Sequence, residues 1–107
     1  MKDFCLPNYK DGSIVNLMSS IGGVFGWKSK YNELSLLKSE EIKKSKNVVL
    51  IVLDGLGYNY LMKNGKNTIF QNHLRGAMTS VYLPTTAAAV TTFLTGVPSQ
   101  QHAFTAW

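Results

Sequence analysis

Two stretches of this chain carry residues whose types and spacing could do chemistry. In the first, Asn47-Val-Val-Leu-Ile-Val-Leu-Asp54-Gly-Leu-Gly57, six consecutive apolar residues end in an acid and two glycines. A carboxylate delivered there can hold a cation or a base, and Gly55 and Gly57 let the backbone turn tightly beside a ligand. In the second, the run Met78–Leu83 meets Pro84, Thr85 and Thr86, then an alanine-rich segment that stops at Thr95-Gly96, with Pro98 and His102 beyond. A hydroxyl at a helix N-terminus faces converging N–H groups and the positive end of the dipole. A phosphate attacked by it would lie in an anion site already formed. The plainer alternatives are an aspartate that caps the helix after it and a threonine that serves only as N-cap.

The elements that must position these residues are legible in outline. Val48–Leu53 shows no period-2 alternation, so both faces of a strand there would be covered, which predicts a central parallel strand over 47–54. In such sheets ligands bind beyond the carboxyl ends of the strands, where Asp54 stands. A second strand is expected over 77–83, ended by Pro84. A helix over 86–95 follows, with Thr85 or Thr86 as N-cap and Gly96 as its stop. Upstream, after an irregular lead over 1–12, Ser13 can cap a helix whose Ile14, Val15, Leu17, Met18 and Ile21 form one stripe, ended by Gly22-Gly23. Leu34, Leu36, Leu37 and Ile42 suggest a second, shorter helix beyond a loop around Trp27–Asn32. A helix over 58–63 and a helical turn over 67–74 link the two strands. The fold class expected is α/β: the N-terminal part of a doubly wound, mostly parallel sheet, incomplete. Residues 1–46 are its helical lead-in and 47–107 the start of a βαβα core.

Together these motifs resemble a known family. Val-Leu-Asp54-Gly, then Pro-Thr-Thr86, Thr95-Gly96, Pro98 and His102 are similar to the type I phosphodiesterase/nucleotide pyrophosphatase branch of the alkaline phosphatase superfamily. The lead-in Asn8-Tyr-Lys-Asp-Gly-Ser-Ile-Val-Asn-Leu-Met-Ser-Ser20 resembles that of its bacterial and archaeal members known only as alkaline-phosphatase-family proteins. The resemblance implies an alkaline-phosphatase-like sheet and a metal-dependent hydrolase of phosphodiesters or phosphomonoesters. It implies two divalent ions, zinc for preference with manganese or iron as alternatives, and a small-molecule phosphate ester as substrate. Asp54 matches the family's first metal-ligating aspartate. Thr86 matches the nucleophile, itself a metal ligand, by its spacing to Thr95 and His102. Pro84 lies two residues before Thr86, where nucleotide-cleaving members place it three before, so Thr85 stays open as the alternative.

A threonine hydroxyl is a poor nucleophile at neutral pH; a bound ion can stabilise its alkoxide, and a second ion can clamp the leaving oxygen. Such a pair of ions takes about six protein ligands, mostly Asp and His. After Thr86 the chain offers only His102 and no acid, and Ala103 and Ala106-Trp107 stand where nucleotide-cleaving members have Gly and Asp-Asn. The expectation is therefore an N-terminal piece of a catalytic domain, inactive by itself. Two alternatives stand beside it: a non-catalytic remnant or small interaction module, and a mutase or phosphonate hydrolase of the same superfamily.

Composition narrows the rest. The 107 residues are 45% hydrophobic and 16% charged, with eleven Lys and Arg against six Asp and Glu. The +5 charge is carried by lysines crowding 28–46, mixed with Glu33, Glu40 and Glu41. Arg75 is the only arginine, so a solvated helix face is expected rather than a nucleic-acid surface. Cys5 alone can form no intramolecular disulfide and lacks the setting a sulfatase needs. The opening residues have no apolar signal core, and no run approaches the ~20 residues of a membrane span, which makes cytoplasm the expected location. Gly55-x-Gly57 lacks the third glycine of a dinucleotide fingerprint, and Gly65-Lys66 lacks the upstream glycine of a P-loop. His73 is expected on a helix surface or at its end, and His102 packed in the loop after the helix rather than on a metal.

Overall fold

Ser13 and Asn16 together start the first helix. In the computed structural model, which describes residues 5–106, the Ser13 N–H and hydroxyl both donate to Asn16 Oδ1, at 3.0 and 2.6 Å. This opens α1 (Ile14–Val24), with Ser13 as its extended N-cap. Asn16 Nδ2 donates onward to the carbonyls of Tyr9 at 3.0 Å and Asn32 at 2.9 Å. The side chain is fully buried, and all four of its hydrogen-bonding positions are used. One carboxamide thus joins the helix start to the lead-in and to the loop after it.

Five further helices follow among the described residues: α2 (Ser39–Ile42), α3 (Tyr58–Asn64), α4 (Ile69–Asn72), α5 (Thr86–Thr95) and α6 (Ser99–His102). The expected helices over 58–63 and 86–95 form nearly as read, and the turn over 67–74 contracts to α4. The Gly22-Gly23 pair does not stop α1, which runs on to Val24. The Trp27 ring lies against Gly22 and against Gly96, leaving no room for a Cβ at either, so both glycines serve close packing. The second helix is much shorter than the leucines suggest. Leu34 N–H is taken by Ser20 Oγ at 2.9 Å and by Asn16 O at 3.1 Å, and Ser35 N–H by Asp11 O at 2.8 Å. Those bonds hold 34–35 against α1 and delay the helix until Ser39.

The expected α/β fold is not found: no strand and no sheet form among the described residues. The second run is captured by the lead-in. Thr79 N–H donates to Gly12 O at 2.8 Å, Ile14 N–H to Thr79 O at 3.0 Å, and Ser13 and Thr79 form an isolated parallel bridge. The Thr79 hydroxyl seals the junction, donating to Gly12 O and accepting from Asn8 N–H. With Thr79 bridged there, 47–53 has no neighbour among the described residues. It enters no ladder, and Val49 and Ile51 remain 80% and 75% exposed. A parallel strand is stable only with partners beside it and helices over both faces, and the described residues supply neither for this run. Residues 1–4 of the lead-in, and Trp107 at the family's Asp-Asn position, lie outside the described residues.

What core there is gathers between α1 and α5. Ile14, Val15, Val81 and Ala88 are buried together, with Tyr9, Tyr31, Ala89 and Phe93 packed around them. Tyr9 and Tyr31 meet edge to face at 6.5 Å. The lysine-rich segment is a solvated face held at two points. Glu33 accepts the Ser39 hydroxyl and its N–H, which holds the Glu33 carboxyl below its ordinary value. Glu41 accepts Lys38 N–H at 3.0 Å and Arg75 Nη2 at 2.8 Å, and is lowered for the same kind of reason. No helix among the described residues is long and apolar enough to cross a membrane.

Replacing Asn16 by alanine should lower unfolding stability by roughly 2–4 kcal/mol, because buried donors and acceptors on three segments lose their partner together. Urea denaturation measures it, and a change under about 0.5 kcal/mol would show that the hub is dispensable. Glu33 has a folded pKa below its unfolded one. Its contribution is therefore complete above the ordinary value of 4.5 and is lost as pH falls through the lowered folded value. The exchange protection of the Ser39 amide, relative to its intrinsic rate at each pH, should fall over that acidic interval, and Glu33→Gln should remove the dependence.

Candidate active site

The turn after the apolar run aims Asp54. Leu56 N–H donates to Leu53 O at 3.3 Å and Gly57 N–H to Gly55 O at 3.1 Å. Gly55 sits at φ +77°, in the left-handed region, so its lack of a Cβ is used. Gly57 is the N-cap of α3 at φ −74°, and no side chain bonds that helix start. Asp54 is thus not the cap of the helix that follows it, and its carboxylate is free for other use.

At the other stretch the two threonines divide the work. Thr85 is the N-cap of α5: its hydroxyl oxygen accepts from Ala88 N–H at 3.3 Å and donates to Thr105 O at 3.4 Å. Thr86 is the first helical residue, and its Oγ1 donates to Asp54 Oδ2 at 3.0 Å. The two residues singled out 32 positions apart therefore meet, on an exposed face, at the start of a ten-residue helix. The expected convergence is present, although the parallel strands that were to deliver it are not. Thr85, the alternative nucleophile, has its hydroxyl committed to the cap.

The remaining candidates have structural posts. Phe104 N–H donates to His102 Nδ1 at 3.0 Å. A backbone N–H can only donate, so Nδ1 carries no proton and Nε2–H donates to Thr92 Oγ1 at 3.1 Å. His102 is the last residue of α6, not a loop residue as expected, and its ring joins that helix back to α5. Thr95 donates its hydroxyl to Thr91 O at 2.7 Å, and Gly96 ends the helix at φ +69°. His73 is the C-cap of α4.

A mostly apolar cleft of about 470 Å³ opens beside Asp54, walled by Ile14, Val52, Leu53, Pro84 and Phe93. A larger cavity of about 560 Å³ lies elsewhere, around Asn8, Tyr58 and Met78, with no carboxylate or histidine on its wall. Among the described residues no group of three or more His, Cys, Asp or Glu could hold a metal ion. Asp54 and Thr86 are two oxygen ligands of the about six that a two-ion centre takes, so the described residues do not make that centre by themselves. Sequence reasoning passed over Trp27, which packs against glycines at the end of α1 and just past α5; its only signal was a large aromatic in a glycine-rich turn. Comparison of the chain with family models, with curated proteins and with solved structures finds no match.

Separating the threonines by stability is direct. Thr85→Ala should destabilise the protein by about 1 kcal/mol through loss of the cap. Thr86→Ala should stay within about 0.5 kcal/mol, since its hydroxyl serves an exposed side chain. Thermal unfolding of both variants decides, and the reverse order would mean that Thr86 is the cap in solution.

Proposed function

We propose that this chain carries the nucleophile of a phosphate ester hydrolase, with Thr86 attacking phosphorus and Asp54 as the acid beside it. The observation that supports the reading is the 3.0 Å contact between Thr86 Oγ1 and Asp54 Oδ2 at the α5 N-terminus. The carboxylate oxygen that accepts the Thr86 hydroxyl can take up its proton as the oxygen bonds to phosphorus and the ester's alcohol leaves. The first N–H groups of α5 favour negative charge on an incoming phosphate. The exposed position leaves the hydroxyl open to a small phosphomonoester or phosphodiester. Two divalent ions, zinc for preference, belong to the proposal. Asp54 and Thr86 would be ligands to them, and the remaining ligands come from outside the described residues.

Mutase or phosphonate hydrolase chemistry would use the same threonine, and no feature of the site favours either over ester hydrolysis. In an interaction module without catalysis the Thr86–Asp54 contact would be a surface hydrogen bond between two segments.

The purified 107-residue chain should not turn over p-nitrophenyl phosphate or its phenylphosphonate diester, with or without zinc, because two ligands cannot hold two ions against water. Manganese titration followed by NMR line broadening tests the site itself. Broadening should centre on Asp54 and Thr86 and vanish in Asp54→Asn while persisting in His73→Ala. Broadening centred elsewhere, or unchanged in Asp54→Asn, would remove Asp54 as a ligand. In any active form of the protein, Thr86→Ala should lower kcat by several orders of magnitude with metal content nearly intact, and Thr85→Ala should act only through stability.

A further inference from the structure

The run Val48–Leu53 is the largest feature of the molecule that the proposed chemistry leaves unused. Residues 47–53 lie in no helix and no ladder. Among the described residues, no backbone N–H of 47–53 and no carbonyl of 47–52 has a hydrogen-bond partner. Successive side chains are open to water, Val49 at 80%, Leu50 at 40%, Ile51 at 75% and Val52 at 48%. Four of the six residues are β-branched, and the six include no charge, proline or glycine. Proteins normally shield such a segment with charges, prolines or a covering element, because unpaired backbone beside apolar side chains templates strand pairing.

Charge at the two ends selects the partner and the direction. Lys46 precedes the run and Asp54 follows it, and both are exposed. If two copies pair in parallel and in register, lysine faces lysine and aspartate faces aspartate, which is unfavourable. If they pair antiparallel with Leu50 opposite Leu50, Lys46 of each copy falls opposite Asp54 of the other, and the arrangement closes about a twofold axis. Thr86 uses only Oδ2 of Asp54, which leaves Oδ1 for the lysine of the second copy.

We propose that Val48–Leu53 is a self-association edge, through which two copies of this chain pair antiparallel about Leu50, closed at both ends by Lys46–Asp54 pairs. The pairing bonds the backbone groups that face the seam, which the monomer leaves to water, and brings the apolar side chains of the two copies side by side across it. It shares Asp54 with the proposed hydrolase site, drawing on the carboxylate oxygen that Thr86 leaves free, and its test has no catalytic readout.

The experiment is sedimentation velocity over a concentration series, joined to cysteine cross-linking in a Cys5→Ser background. A monomer–dimer equilibrium is expected at micromolar to sub-millimolar concentration. Leu50→Cys should form an intermolecular disulfide under mild oxidation, because opposed side chains lie ~5 Å apart at Cβ. Leu53→Cys should not, because in this register it lies about 20 Å from its own copy. Lys46→Glu should weaken the dimer by roughly tenfold, and Lys46→Glu with Asp54→Lys should restore it to within about threefold. Circular dichroism of each variant checks that the helices persist, and the charge-swap arm needs no core substitution. A monomer at every concentration, growth beyond the dimer, equal cross-linking at 50 and 53, or no rescue by the double swap would each overturn the proposal.

Discussion

The arrangement of this protein depends on one buried carboxamide. Asn16 has no contact with solvent and meets the Tyr9 and Asn32 carbonyls and both donors of Ser13. A polar side chain sealed from water destabilises unless every position is bonded, and here every one is. This fixes where α1 begins and brings the lead-in beside it. The lead-in then presents the Gly12 carbonyl and the Ile14 amide to Thr79. Losing any one of these partners would strand the others in the interior.

That junction has a consequence on the far side of the molecule. Because Thr79 is bridged to residues near Ser13, the run around it is not offered to 47–53, and the most β-prone run in the chain is left without a ladder. Its exposed side chains show the effect directly. The small core cannot compensate, since Ile14, Val15, Val81 and Ala88 form its buried centre. Proximity of Asp54 and Thr86 therefore comes from the Gly55 turn and from the docking of α5 on α1, not from a sheet.

At the site, helix capping separates two adjacent threonines that sequence spacing leaves equivalent. An N-cap hydroxyl must turn toward the amides of its own helix, as Thr85 does toward Ala88. The next residue points its hydroxyl away from those amides and can reach a group on another segment, as Thr86 does. A cap and a contact with another segment call on the same type of side chain, and position along the first turn decides which of them each threonine makes. His102 is settled in the same way, with both ring nitrogens held by Thr92 and Phe104.

Local signals read from sequence survive where a single turn or helix suffices. The Ser13 start of α1 and the span of α5 with its Gly96 stop were legible because capping and glycine stereochemistry act over a few residues. The parallel sheet was not decided locally. Val48–Leu53 has the composition of a central strand, but a strand exists only when a neighbour accepts its hydrogen bonds, and the bonds of Thr79 went to the lead-in. The early end of the leucine-rich helix has the same origin, since Ser20 and Asn16 claim Leu34 from another part of the chain. Residue type and spacing by themselves determined the start of α1 and both ends of α5. Only the tertiary structure decided which backbone groups met, because hydrogen-bond partners distant in sequence compete, and a donor taken by one is lost to the rest.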